Sequence, residues 1–232
     1  MKIPTYLAMT GSELSEAGPL PCPAALLGCH FDSRGPGLTG LPEALPEGSM
    51  LILDDSVLPE GLDSDRVLGQ LSEFTEAFRC TGVLLDFQRP VTPSLFRLAE
   101  LLTEALPCPA AVSEAYADSL SCPVFVAAPP AHVSLERHLA RWKGRELWLE
   151  LAPAPETAAV TASGTVFTPL PGLPEAGGIK ADPDCRCRIA LTEDSAVFTL
   201  FRNREDLAAL LTRAEALGVT RAVGLWQELR ML

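Results

Sequence analysis

Positive charge is scarce in this sequence. Lys and Arg number 18 against 30 Asp and Glu, a formal net charge of −12 over 232 residues, and no basic cluster interrupts the acidic balance. Phosphate backbones require concentrated positive charge, so nucleic acid is not expected as a partner. Anionic membrane surfaces are disfavoured for the same reason. Long apolar runs are missing as well: no segment approaches the roughly 20 consecutive apolar residues of a membrane helix. The opening stretch "MKIPTYLAMTGSELSE" has one Lys, and Pro4, Thr5 and the polar residues after Met9 interrupt it. It does not read as a secretory signal, so a soluble, cytoplasmic protein is expected.

Metal and cofactor signatures are also wanting. The seven cysteines include no Cys-x-x-Cys pair, and there are three histidines. Without a secretory signal, the thiols are expected to be reduced and to serve as small apolar fillers. Cys185 and Cys187 in "DCRCR" have one residue between them, a poor spacing for chelation. The sequence has no Gly-x-Ser-x-Gly elbow. Neither cofactor nor metal is expected.

What is present is a recurring apolar run. Nine stretches read as strands: 5–10, 24–32, 49–56, 82–88, 110–117, 123–129, 146–152, 195–201 and 221–229. Most are near-continuously apolar rather than alternating, as in strands covered on both faces. Helical patterns fall between several of them. After Ser64, Val67, Leu68, Leu71, Phe74 and Phe78 share a face. Thr92 caps a helix with Pro93 at its first position and Leu95, Leu98, Leu101 and Leu102 as its stripe. Ser134 caps a shorter one. Asn203 caps the clearest, with Glu205 and Asp206 in the first turn and Gly218 at its end.

Strands alternating with helices over short connections imply right-handed βαβ units. Up to nine strands favour closure into an α/β (β/α)8 TIM-barrel-like single domain over residues 1–232. It is a lean barrel, since about 250 residues is typical, so some helices must be short or missing. The segment Pro153–Cys185 carries no helical stripe and reads as a long loop over one rim or a worn-down unit.

The stretch "GVLLDFQ" resembles the fourth-strand signature of family-18 glycoside hydrolases, the chitinase-like barrels. That signature is Asp-x-x-Asp-x-Asp-x-Glu with Gly after the first Asp. Its four acidic positions fall here on Thr81, Leu84, Asp86 and Gln88. The segment Ser195–Leu229 is similar to the family's closing helix and eighth strand, which ends in a Trp, here Trp226. "SMLILDDS" would be the third strand, with Asp54 and Asp55 in place of the family's Ser-x-Gly-Gly ending. A sixth-strand Tyr-Asp pair is not visible. The resemblance implies that position 88 holds the proton donor and position 86 the acid that steadies the substrate's own acetamido nucleophile. Gln88 matches Glu in shape but has no acidic proton, and Thr81 and Leu84 have lost their carboxylates. Standard family-18 catalysis is therefore not expected.

Strand alternation puts Leu84, Asp86 and Gln88 on one face, the barrel interior. Asp86 then has two readings: a pocket acid at the C-terminal rim, or a buried carboxylate bonded to its neighbours. Asp54, Asp55, Glu114, Glu150 and Glu228 also stand at or near strand ends. Of these, Asp54, Glu114 and Glu228 are expected with Asp86 at the rim, and Asp86 with Glu114 is the candidate acid/base pair. Trp226 is the candidate sugar-stacking floor, with a core Trp as the alternative. Tyr116 and Gln88 are candidate hydrogen-bonding groups. His30 reads as a buried, satisfied histidine. Three functions remain open: a non-catalytic barrel binding a saccharide, a hydrolase using other rim carboxylates, and a protein-interaction scaffold.

Overall fold

The computed structural model describes residues 2–58, 61–174, 178–181, 184–191 and 195–230. The strands are β1 (Thr5–Thr10), β2 (Ala24–Phe31), β3 (Leu38–Thr39), β4 (Met50–Asp54), β5 (Gly82–Asp86), β6 (Ala110–Ser113), β7 (Val124–Val126), β8 (Leu147–Glu150), β9 (Glu156–Thr161), β10 (Gly164–Pro169), β11 (Ile179–Ala181), β12 (Arg186–Leu191), β13 (Ala196–Phe201) and β14 (Val219–Leu225). Eight of them, in the order β1, β2, β4, β5, β6, β7, β8 and β14, pair in parallel, and β14 returns to β1. This closes a barrel of the (β/α)8 kind. β3 hooks onto β2 as a short antiparallel addition.

Two apolar layers hold the barrel. Tyr6, Ala8, Ala25, Met50, Ile52, Leu84, Ala111, Trp148 and Val223 fill its interior. Leu51, Leu53, Val83, Leu85, Val112, Leu147 and Leu149 point outward to the helices. Successive strand residues thus serve alternate layers, which is why the strands read as unbroken apolar runs. The interior is packed rather than hollow. Trp148 is fully buried, and the Arg221 guanidinium lies 4.4 Å over its ring.

The outer shell is lean. The helices are α1 (Gly11–Glu16), α2 (Ser64–Ala77), α3 (Pro93–Ala105), α4 (Leu135–Leu139), α5 (Arg204–Ala216) and α6 (Trp226–Leu229), with 3-10 turns at Glu114–Ser119 and Ala140–Trp142. Between β2 and β4 the described chain makes β3 and no helix. The caps follow the sequence. Thr92 accepts from the Leu95 amide ahead of Pro93, and Ser134 from that of Arg137. Asn203 and Asp206 form a reciprocal capping box. For α2 the cap is Asp63, one residue before the expected start. None of these helices is long and apolar enough to cross a membrane.

Three sequence expectations change. The expected loop or worn-down unit over Pro153–Cys185 contains β9, β10 and β11. With β12 and β13 these form a five-stranded antiparallel sheet inserted between β8 and α5. The run at 195–201 is β13 of that insert and not a barrel strand. The run at 221–229 stops being a strand at Leu225 and turns into α6. The buried Arg202 ties the insert to the barrel by donating to the carbonyls of Pro129 (2.6 Å) and Pro130 (3.0 Å) beyond β7. Glu156 of β9 accepts from the backbone amide of His132, on the same loop, at 2.8 Å. The His132 ring stacks on Phe167 of β10, centroids 3.7 Å apart.

Candidate functional site at the barrel mouth

Barrel strands all point their C-terminal ends at one rim, so polar residues there converge over the packed interior. Here β2, β4 and β5 carry a row of three. His30 is in register with Asp54, and Asp54 with Asp86. Adjacent strands stand about 4.8 Å apart, which brings the two aspartates close as like charges. Beyond Asp86, Gln88 Nε2 donates to Asp86 Oδ1 at 2.5 Å.

The turn carrying Gln88 is fixed from below. Asp55, buried at the end of β4, accepts from the backbone N–H groups of Gln88 (2.9 Å) and Arg89 (3.0 Å). Ser113, the next residue around the rim, donates to the carbonyl of Phe87 at 2.8 Å. The Asp-Asp pair at 54–55 therefore divides its labour: Asp54 shares the interior face with Asp86, while Asp55 acts as a structural anchor.

A pocket of about 260 Å3 opens beside this turn, in the sector between β5 and β8. Asp86, Gln88, Ser113, Glu114, Phe125 and Glu150 are among its lining residues. Burial raises the Asp86 carboxyl above the usual carboxylate range. The Gln88 hydrogen bond opposes that rise, and the charges of Asp54 and Asp55 add to it. Glu150 accepts from the Ala128 amide at 2.9 Å. Glu228 on α6 is raised by burial and then by the charge of Glu150. Glu114 accepts from the indole N–H of Trp142 at 2.9 Å, so one of its oxygens is engaged by the outer layer.

The structure therefore brings Asp86, Gln88 and Glu114 into one pocket, with Asp54 and Glu228 beside it. It does not bring Trp226 or Tyr116. Trp226 opens α6, half-buried, and is not among the residues lining the pocket. A strand running through 110–117 would carry Tyr116 to the rim, but the strand ends at Ser113 and a 3-10 turn follows. That turn carries the Tyr116 ring into the outer layer, edge-on to Phe87 at 5.6 Å and 1% exposed, out of a ligand's reach.

Two residues were undervalued by the sequence. Glu150 is the third carboxylate in the pocket. His30, which the sequence suggests is buried and satisfied, is only partly buried and stands in register with Asp54. The cause is a bulge. Register shifts between Leu26 and Cys29, where Gly28 takes φ +105°, so the residues after it exchange faces. The Gly inside the strand run was the available signal.

No protein-family model matches this sequence, and no curated protein matches it. Solved structures are similar in fold. The C-terminal domain of a putative chitinase from Desulfitobacterium hafniense shares 11% identity at a TM-score of 0.58, over 97% of this chain and 94% of that one. A GH18 chitinase from Cycas revoluta in complex with (GlcNAc)3 shares 11% identity at a TM-score of 0.56, over 96% and 94%. The spore cortex-lytic enzyme SleL from Bacillus megaterium shares 11% identity at 0.52, over 97% and 71%. At these identities the likeness is one of architecture: the chain folds as a (β/α)8 TIM barrel, as those structures do.

Proposed function

We propose that the barrel mouth binds a saccharide and does not hydrolyse it by the family-18 route. The observation that carries this reading is the side-chain pair in the pocket, Gln88 donating to Asp86. Family-18 chemistry needs a proton donor where Gln88 stands, and a carboxamide has none to give. The same amide and carboxylate are well suited to hold sugar hydroxyls, because together they offer both donors and acceptors. Below them Leu84 is buried in the barrel interior, so the acid missing from that position has been replaced by packing. Several of the similar chitinase structures hold GlcNAc oligosaccharides, including a Glu-to-Gln variant from tobacco with NAG4, which supports a saccharide as the class of ligand. We place the protein in the cytoplasm as part of this reading.

The test is a glycan-binding screen on wild type and Asp86→Ala, with product analysis on the same samples. Wild type is expected to retain a glycan and return it uncleaved, and Asp86→Ala to lose it with the fold intact. If wild type retains no saccharide, the scaffold reading takes over.

A second reading rests on one observation, the raised carboxyl of Asp86 in a pocket that also contains Glu114 and Glu150. A carboxyl so tuned can serve as a general acid, with another carboxylate activating water. Cleavage by wild type that disappears in Asp86→Asn would favour this reading.

A further inference from the structure

We infer, on the reading that the mouth holds a saccharide, that the sugar it selects carries a free amino group: a glucosamine-type unit in its ammonium form, in preference to a neutral N-acetylated or an acidic one. The argument starts from hydrogen-bonding capacity. Asp86, Glu114 and Glu150 reach the pocket from three different strand ends, and each has one donor bonded to it, from Gln88, Trp142 and the Ala128 amide respectively. An ionised carboxylate has about four acceptor sites, so most of the pocket's polar capacity is unused acceptor. Donors are nearly exhausted. Ser113 gives its hydrogen to the Phe87 carbonyl, and Gln88 gives one of its two amide hydrogens to Asp86. The carbonyl of an N-acetyl group would find little to accept from, whereas an ammonium brings three donors.

Charge argues in the same direction. Asp54 and Asp55 lie near enough to Asp86, and Glu150 near enough to Glu228, to raise those carboxyls. No Lys or Arg lines the pocket among the described residues. The arginines nearby are committed to other groups: Arg89 to the Ser56 carbonyl, Arg202 to the Pro129 and Pro130 carbonyls, and Arg141 to Asp118. His30 is the one basic ring in the rim row described above. Carboxylates concentrated at a cleft with low-dielectric walls favour a cation and repel an anion. Size agrees as well. At about 260 Å3 the pocket lies below the roughly 300–1,000 Å3 of drug-sized sites, which suits a single sugar ring.

The experiment is calorimetric titration of the full chain at about pH 6, where such an amine is protonated. The probes are the β-1,4-linked dimer of N-acetylglucosamine, its fully deacetylated counterpart, and a galacturonic acid dimer. The deacetylated dimer is expected to bind at least about tenfold tighter than the acetylated one, the gain from a charge-assisted over a neutral hydrogen bond. Its advantage is expected to shrink between about 0.01 M and about 1 M salt, as the screening length falls from about 30 Å to about 3 Å. The galacturonic acid dimer is expected not to bind. Glu150→Gln, which keeps an acceptor for Ala128, is expected to reduce the advantage without lowering Tm. If the acetylated dimer binds as tightly as the deacetylated one, or more tightly, the inference is overturned while the saccharide reading survives. If neither dimer binds, the saccharide reading itself fails and the inference falls with it.

Discussion

Gln88 Nε2 and Asp86 Oδ1 stand 2.5 Å apart at the mouth of a parallel barrel, a carboxamide hydrogen-bonded to a carboxylate where the family-18 resemblance calls for two acids. An amide in that place holds the neighbouring carboxylate as an acceptor and supplies no proton. Replacing it with an acid tests what the missing proton is worth. Gln88→Glu would set two carboxyls in hydrogen-bond contact, and such pairs share one proton because both cannot ionise cheaply. The variant is expected to have a lower Tm than wild type at pH 7 and to recover near about pH 4. Hydrolysis of chitin oligosaccharides, followed by product analysis, is expected to stay at background because Leu84 keeps the adjoining position apolar. Strong activity in this single variant would show that one proton was all the site lacked.

Asp86 should be a liability to the fold at neutral pH. Its carboxyl is raised above its ordinary value, chiefly by burial. The folded chain then binds that proton more tightly than the unfolded chain, so stability declines as pH rises from the unfolded pKa through the folded one. Asp86→Asn removes the ionisation. It is expected to raise Tm at pH 7 and to make no difference below about pH 3, where both states carry the proton. Thermal melts across that range check the sign, and a Tm loss at pH 7 contradicts the burial argument.

Asp55 is expected to matter for stability more than for any ligand contact. Its buried carboxylate accepts from two backbone N–H groups, those of Gln88 and Arg89. Hydrogen bonds to charged groups contribute about 1.5–3 kcal/mol each. Asp55→Ala is expected to cost about 3 kcal/mol in urea denaturation and to weaken glycan binding through the loosened Gln88 turn. A cost below about 1 kcal/mol would remove Asp55 from its anchoring role.

Gly82 is held to glycine by the barrel interior. A Cβ there would stand 2.6 Å from Arg221 Nη1 and 2.7 Å from Trp148 Cη2. Trp148 is fully buried and has little room to give way. Gly82→Ala is expected to destabilise the protein by about 1–3 kcal/mol, as overpacked cores do. An unchanged denaturation midpoint would show that the stack of Arg221 on Trp148 is loose.

Much of the barrel was legible because parallel strands covered on both faces write themselves as apolar runs, and because Thr92, Ser134 and Asn203 are unambiguous caps. The insert was not legible. Of its strands only β13 reads as an apolar run, at 195–201, and β10 is exposed along its whole length, so burial left no apolar pattern there to read. A local sign did exist: "VTASGTVFTP" is two Thr- and Val-rich runs about a Ser-Gly turn, which is how a hairpin is written. At the site, alternation sets Asp86 on the inner face, in register with Asp54, but fails on β2 and beyond the end of β6. Gly28 shifts the face of His30, and the 3-10 turn after Ser113 removes Tyr116. Neither departure follows from a two-residue period, because each is a change of backbone conformation at the last residues that the period governs. Trp226 illustrates the limit of resemblance: the strand ends one residue before it, so it opens α6 and is not among the residues that line the pocket.

Trp226→Ala accordingly separates the geometry from the resemblance. Because Trp226 does not line the pocket, the substitution is expected to change the affinity for a sugar dimer by less than about twofold, well under the tenfold that about 1.4 kcal/mol represents. A tenfold loss in the same titration would place the aromatic floor at Trp226 after all.

The most direct test of the central claim is to incubate wild type and Asp86→Ala with the acetylated and the deacetylated glucosamine dimers, measuring the bound fraction and the products in the same samples. The account expects wild type to hold sugar and release it at unchanged length, and Asp86→Ala to fold normally and hold none. Shortened sugar in the wild-type sample, or equal binding by the two proteins, would contradict it.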